Sequence, residues 1–273
     1  MKQLIRQALK EDIGSGDVTS RAVIPAGLCI RARILAKSSG VAAGVKMAAL
    51  TFTTLDPSLR CRLHVRSGAQ LRPGKTILTV EGRARSIMSA ERTALNFLGH
   101  LSGIATLSYQ FVQAVRGTRA KILDTRKTIP GLRRLAKYAV RAGGAYNHRE
   151  GLFDAVLIKT NHLRASGLSI EEAVQRGRRG AGRKEVVVEV RTLAELKAAL
   201  RAEPDVIMLD NWRLPAIRQA VRLRDGRKPL LEVSGGVTLS NVRAIAKAGV
   251  DRISIGRLTH SAPSLDVSLR VIS

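Results

Sequence analysis

Short apolar runs in the second half of the chain each end on residues able to do chemistry. Asp124-Thr125-Arg126-Lys127 follows Lys121–Leu123, Lys159-Thr160-Asn161-His162 follows Val156–Ile158, and Glu189 lies within Val186–Val190. Asp210-Asn211 closes Val206–Leu209, Ser234-Gly235-Gly236 closes Leu230–Val233, and Gly256-Arg257 closes Ile253–Ile255. One charged residue at the end of a strand is usually solvated or caps a helix. A whole series in step implies a common site. Cations fall on the first two runs, carboxylates on the next two and glycine turns on the last two, which describes a divided pocket.

Each group suits a different partner. Arginine forks bind carboxylates bidentately and lysine supplies a point charge, so Arg126, Arg149 and Lys159 could grip a dicarboxylate. Glu189 and Asp210 offer hard oxygen ligands of the kind Mg²⁺ uses beside substrate phosphates, or ion-pair partners for nearby arginines. Gly235, Gly236 and Gly256 let backbone N–H groups approach an anion, with the following helix N-terminus adding its dipole. Barrel enzymes frequently hold a phosphate after their last two strands. A zinc site is excluded: His148, His162 and His260 lack ligand spacing, and Cys29 and Cys61 form no C-x-x-C.

The elements that must carry these residues follow from periodicity. β-Branched runs alternating with helical sequence imply right-handed βαβ crossovers and a parallel sheet, here a barrel or partial barrel. Such folds place their chemistry at the carboxyl ends of the strands. Between the first two runs, residues 130–140 read as an amphipathic helix with Arg133, Arg134 and Lys137 solvated. Gly143-Gly144 then shapes a loop into His148-Arg149. The first part of the chain reads differently. A leading helix at 1–12, alternating strands at 28–37, 60–66 and 76–81, and a helix near 44–55 make a small α+β unit with an antiparallel sheet. A long helix over 86–115, with a break expected at Gly103, leads out of it. The expected domains are residues 1–110 and 111–273.

Composition narrows the function classes. The 273 residues carry a net charge of +26, spread over both parts, yet only 3% are aromatic, poor material for stacking nucleic-acid bases. Most of the excess reads as solvated helix faces, including Arg176, Arg178, Arg179, Arg183 and Lys184, with a real attraction for anionic small molecules. No signal-peptide core and no membrane-length apolar stretch occurs, so the default location is cytoplasmic.

The chain also resembles the quinolinate phosphoribosyltransferase family. The likeness runs through Glu11–Thr19, Glu91–Leu98, Leu101–Thr106, Asp124–Thr128, Asn147-His148-Arg149, Leu157-Ile158-Lys159 with Asn161-His162, Met208–Asn211, Ser234–Val237, Thr259–Ser261 and Leu265-Asp266. It implies an N-terminal α/β sandwich followed by an incomplete α/β barrel. The implied reaction turns quinolinate and phosphoribosyl pyrophosphate into nicotinate mononucleotide, pyrophosphate and carbon dioxide, with Mg²⁺. It also implies a homodimer with shared active sites, which can assemble further into a hexamer, and no nucleic-acid or membrane partner. On this resemblance Arg92 of a neighbouring chain joins Thr125, Arg126, His148, Arg149 and Lys159 around the quinolinate carboxylates. Lys127, Glu189, Asp210, Ser234, Gly235, Gly236, Gly256 and His260 take the phosphoribosyl pyrophosphate. Glu189 and Asp210 hold the metal, and Lys127, Lys159, Glu189 and Asp210 carry the catalysis. The chain departs from the pattern at Thr160, where an Asp is common, and at Arg191, where many relatives are acidic; the latter alters the charge near Glu189. A nicotinate-specific enzyme would need fewer cations. A branch associated with molybdenum transport departs at the Asn147–Arg149 and Lys159–His162 motifs. A nucleic-acid-binding protein on a retired enzyme scaffold would not need every pocket position filled.

Overall fold

The computed structural model describes residues 1–226 and 228–272. In chain order the elements are α1 (Lys2–Ile13), α2 (Val18–Val23), β1 (Cys29–Ala36), β2 (Gly40–Val41), α3 (Val45–Leu55), β3 (Arg60–Leu63), β4 (Gln70–Leu71), β5 (Thr76–Arg83) and α4 (Ala84–Ala114). There follow β6 (Lys121–Leu123), α5 (Arg133–Ala142), β7 (Val156–Ile158), α6 (Thr160–Ser166), α7 (Ile170–Ala181), β8 (Val186–Val190), α8 (Leu193–Ala202) and β9 (Val206–Asp210). The last are α9 (Leu214–Arg224), β10 (Leu230–Ser234), α10 (Val242–Lys247), β11 (Arg252–Ser254), α11 (Arg257–His260) and β12 (Val267–Val271). Two compact units result. One comprises Met1–Leu107, Arg141–Gly144 and the stretch from Ala262; the other comprises Ser108–Val140 and Ala145–Ser261. Among the described residues no helix is long and apolar enough to cross a membrane.

The first unit is built on a four-stranded antiparallel sheet of order β12-β1-β5-β3, with β2 and β4 paired separately. Alternation along β1 buries Ala32 and Ile34, and α3 turns Met47, Ala48 and Phe52 into the same interior. Ile5 and Leu9, one helical turn apart on α1, are buried as well, and α1 packs on α3. Two features were not signalled by the sequence. The α2 turn starts where Asp17 accepts the Ser20 N–H at 2.8 Å, which caps a helix of six residues. And β12, from the far end of the chain, pairs with β1.

The break expected at Gly103 does not occur, and α4 is continuous for 31 residues. Gly103 answers a different need. A Cβ there would stand 2.0 Å from the Pro263 carbonyl oxygen, and one at Gly99, a turn earlier, 2.9 Å from that of Leu265. The Leu265 N–H donates to the Gly99 carbonyl at 2.9 Å. The two glycines thus form a flat helical face on which the chain before β12 lies.

The second unit is a six-stranded parallel sheet of order β6-β11-β10-β9-β8-β7. The first strand pairs with the last, so the strands curl into a barrel whose seam, between β6 and β7, stays open. That is the incomplete barrel the sequence implies. Outward residues such as Val188, Val190, Ile207, Leu209, Leu231 and Val233 are buried, as parallel strands covered by crossover helices require. The other face changes character along the strands. Leu157, Val187 and Val206 form an apolar floor with Met208 and Leu230. Above it Glu189 and Glu232 flank Met208 in register, with Arg252 beside Glu232; above them Asp210, Ser234 and Ser254 are in register. Apolar packing at one end therefore gives way to carboxylates and hydroxyls at the carboxyl end.

Gly103→Ala tests the reading of α4. Replacing a helical glycine with alanine normally gains about 1 kcal/mol, whereas a clash with backbone costs about 1–3 kcal/mol. We expect the clash to win and urea unfolding to show a less stable chain; a more stable one would restore the view of Gly103 as a helix breaker.

Candidate active site

A cavity of about 690 Å³ opens at the carboxyl end of the parallel strands. Every site residue anticipated from the sequence lines it except Arg92, which lies exposed on α4 in the first unit. Leu157 and Met208 close its floor.

The cationic side rests on one buried ion pair. Asp124 ends the β6 segment with its side chain on the outer, helix-facing side, and it is 0% exposed. Lys137 of α5 reaches it at 2.6 Å and is itself 4% exposed. The sequence reading of Lys137 as solvated is therefore wrong. The amphipathic pattern of α5 gives lysine a polar place, but its partner sits on a strand the local pattern cannot reveal. Lys137 Nζ also donates to the His148 carbonyl at 2.8 Å, while Asp124 accepts the His148 N–H at 2.8 Å. The Asn147 amide, nitrogen turned inward, donates to the second Asp124 oxygen at 2.9 Å and to the Lys137 carbonyl at 3.0 Å. Burial raises the Asp124 carboxyl, opposed chiefly by Lys137. Before this anchor, Gly144 takes φ +85° to end α5, and Tyr146 forms a single parallel bridge with Leu123.

On that anchor Arg149 is held at 3.0 Å by the Ala155 carbonyl. Its guanidinium loses affinity for its proton, mainly through burial and then through the nearby charge of Arg126. Arg126 Nε is buried without a partner. Two guanidiniums in mutual repulsion, one with an orphaned donor, make a site that an anion would relieve. Arg133, expected to be solvated, is partly buried instead and donates to Thr128 Oγ1 at 3.2 Å and to the Glu150 carbonyl at 3.2 Å. His148 lines the cavity with Nδ1 engaged and Nε2 without a hydrogen-bond partner. Nδ1 accepts the Arg149 N–H at 2.7 Å, and Nε2 is 3.2 Å from Glu232.

The carboxylate side is also paired. Glu189 accepts the Thr160 hydroxyl at 3.1 Å and stands 3.5 Å from Lys159 and 3.7 Å from Arg191. Arg191 lies 3.3 Å from Asp210 as well and remains half exposed. Both departures from the family pattern, Thr160 and Arg191, therefore meet at Glu189. The ion-pair reading of Glu189 and Asp210 holds in this state. Two carboxylates on adjacent strands equally match what Mg²⁺ takes from protein when it arrives on substrate phosphates. No cluster of three or more metal-binding side chains exists among the described residues, so a metal caged by protein alone does not fit.

The glycine side is shaped by close approach. Gly235 has φ +88°, and a Cβ on it would meet Asn211 Oδ1 at 2.1 Å. A Cβ on Gly256 would touch Lys127 Cδ at 3.0 Å, so the lysine stem lies across that glycine. The expected helix dipole behind both turns needs correction. Gly256 opens α11, which is only four residues, and α10 starts at Val242, well past Gly236. The Ser234–Gly236 turn offers loop N–H groups alone.

Sequence reasoning missed Lys137 and Ser254 as parts of the site or its support, while Arg191 stands beside Glu189 as expected. For Ser254 the signal was available: a hydroxyl two residues after Arg252 shares its inward face. Asp124→Asn provides the test of the anchor. It strands a buried ammonium, so unfolding free energy should fall by about 3–5 kcal/mol. A fall within the range of an ordinary surface change would show that the pair does not hold this region together.

Comparison with known proteins agrees in both units. Residues 17–102 match the model for the quinolinate phosphoribosyl transferase N-terminal domain, and residues 104–270 that for the C-terminal domain. A nicotinate-nucleotide pyrophosphorylase [carboxylating] of Mycobacterium leprae is 46% identical over 98% of this chain and 96% of its own. One named as probable in Bacillus subtilis is 43% identical, over 99% and 93%. The structure of the nicotinate-nucleotide pyrophosphorylase from Francisella tularensis superposes with a TM-score of 0.93, at 39% identity, over 99% of this chain and 95% of that one.

Proposed function

Since the chain belongs to the quinolinate phosphoribosyl transferase family, we propose that its cavity joins quinolinate to the ribose of phosphoribosyl pyrophosphate and releases carbon dioxide. The products are nicotinate mononucleotide and pyrophosphate. The observation that carries the reading is the Arg126–Arg149 pair, two partly buried guanidiniums that line the cavity, one of them with a buried, unpartnered Nε. Lys159 and Thr125, on the same rim, complete a grip for two adjacent carboxylates.

The reaction needs little covalent help. As the pyridine nitrogen bonds to ribose C1, the C1–pyrophosphate bond breaks, leaving positive charge on the sugar and negative charge on the departing group. Lys127, laid across Gly256, is placed for the leaving group together with the Ser234–Gly236 turn and His260. Glu189 and Asp210 oppose the charge on the sugar. Preorganised charges of this kind are worth about 3–4 kcal/mol each when removed singly. Glu189 and Asp210 would hold Mg²⁺, which when bound neutralises pyrophosphate charge; Arg191 must then yield its place. Once the ring nitrogen is cationic, its charge stabilises the electron pair left on the adjacent carbon when the carboxylate leaves as carbon dioxide, and that pair takes a solvent proton. The guanidinium grip keeps that carboxylate oriented.

The reading includes a homodimer in which Arg92 of one chain serves the cavity of its partner. What supports it is that Arg92 lies in the family-matched N-terminal part and is exposed.

Incubation with quinolinate, phosphoribosyl pyrophosphate and Mg²⁺ should give nicotinate mononucleotide with stoichiometric carbon dioxide. No product, or equal product from nicotinate, sinks the assignment. A charged hydrogen bond is worth about 1.5–3 kcal/mol, so Arg149→Ala should raise the KM for quinolinate roughly 10- to 100-fold and leave that for phosphoribosyl pyrophosphate nearly unchanged. For the dimer, Arg92→Ala and Arg149→Ala chains, each nearly silent at quinolinate concentrations below the wild-type KM, should regain activity there when mixed and refolded together. If the mixture stays inactive, Arg92 does not act across chains.

A further inference from the structure

Arg191 stands where the carboxylate side of the cavity would otherwise be open. It follows β8 directly, and its Nη2 is 3.3 Å from Asp210 Oδ2 and 3.7 Å from Glu189 Oε1. Both distances exceed the roughly 2.7–2.9 Å of a charge-assisted hydrogen bond, so charge alone holds the guanidinium there. Glu189 has Lys159 and the Thr160 hydroxyl as well. The Asp210 carboxylate has Arg191 alone among the described residues.

The backbone under this side chain is fixed and the side chain is not. The Arg191 N–H donates to Glu195 Oε2 at 2.6 Å, beside the Thr192 capping box that opens α8. The guanidinium is half exposed and can turn to solvent about that fixed point. A divalent cation bound by Glu189 and Asp210 would lie between the same two carboxylates, so it and the guanidinium exclude one another. A bare ion brings nothing to offset the ion pairs that Arg191 gives up. An ion carried on a diphosphate does, because Lys127 and the Ser234–Gly236 turn are placed to take phosphate oxygens at the same time.

We propose that Arg191 is a resident counter-ion that keeps free divalent cations off Glu189 and Asp210, so that metal enters this side of the cavity only together with the diphosphate of the sugar donor. Its task is to exclude, and it touches no reacting atom. Linkage makes the effect reciprocal: the affinity for free metal that Arg191 removes returns as a larger gain in donor affinity when metal is present. The link to the diphosphate rests on the function proposed above; the exclusion of free ions does not.

The test uses the full-length chain with Mn²⁺ as the probe, the free ion being counted by electron paramagnetic resonance. Arg191→Gln should bind Mn²⁺ alone at least about fivefold more tightly than wild type, the lower end of a typical coupling between two bound groups. Arg191→Lys, which keeps a cation in place, should stay near wild type. So should Arg201→Gln, which removes an equal charge from the surface pair with Glu171 on the same helix. In Arg191→Gln/Asp210→Asn the gain should vanish, since the ion has lost one of its two carboxylates. Equilibrium dialysis of labelled phosphoribosyl pyrophosphate gives the second reading. The factor by which Mn²⁺ tightens its binding should fall in Arg191→Gln by as much as the affinity for Mn²⁺ alone has risen. Equal Mn²⁺ affinity in wild type and Arg191→Gln, an equal gain in Arg191→Lys or Arg201→Gln, a gain that survives Asp210→Asn, or an unchanged donor factor would overturn the proposal. If Mn²⁺ alone behaves as stated but no chain binds phosphoribosyl pyrophosphate, the functional reading falls and the exclusion of free ions stands.

Discussion

Lys137 and Asp124 meet at 2.6 Å with almost no access to water, and the cationic half of the cavity hangs from that contact. The arrangement is costly: two charges leave solvent, and only good geometry with further hydrogen bonds returns the loss. Those bonds exist. The Asp124 oxygens take the Lys137 ammonium, the His148 N–H and the Asn147 amide, and the ammonium takes the His148 carbonyl as well. Three consecutive residues, 147 to 149, are thereby fixed to a strand and a helix rather than left as a loop. A hydrophobic pair could have been as stable here. It could not have oriented a backbone.

Charge inside the sheet is arranged in contrast to charge on the outside. The +26 excess is carried largely by exposed side chains such as those of α7, and it draws anions toward the molecule without choosing among them. Choice is made by a few groups whose pairing is incomplete. The charge of Arg126 acts against that of Arg149, with Asp154 opposing it less strongly, whereas Glu189 and Asp210 share Arg191. The first pair is ready for a carboxylate. The second must release a cation before it accepts another, so the carboxylate side is screened until a substrate arrives.

How much of this was legible depended on whether the cause was local. The six parallel strands were, because β-branched runs followed by polar residues are a local pattern, and so were most of the charged residues and glycines that line the cavity. Lys137 was not, because its burial is decided by an aspartate thirteen positions away on a different element. Gly103 misled for a related reason: within the helix it looks like a breaker, and only the distant Pro263 carbonyl shows why a side chain is forbidden. The β12–β1 pairing joins the two ends of the chain, beyond the reach of any window. The dipole expected behind Ser234–Gly236 failed on a count of residues, since the helix starts later than the glycine turn suggests.

The open seam between β6 and β7 has a consequence for how such a site can change. Every other pair of consecutive strands in the sheet is tied by hydrogen bonds, so altering its connection disturbs registration on both sides. The stretch from Asp124 to Ala155 leaves β6 and returns at β7 with no ladder joining those two strands. It is also the stretch that supplies Arg126, His148 and Arg149. On the proposed function this crossover, tied to β6 only by the Leu123–Tyr146 bridge, carries the acceptor's arginines together with Lys127, whereas Glu189, Asp210 and Ser234 stand on strands paired on both sides. A change in the acceptor clasp would therefore leave intact the pairing of the strands that carry Glu189, Asp210 and Ser234.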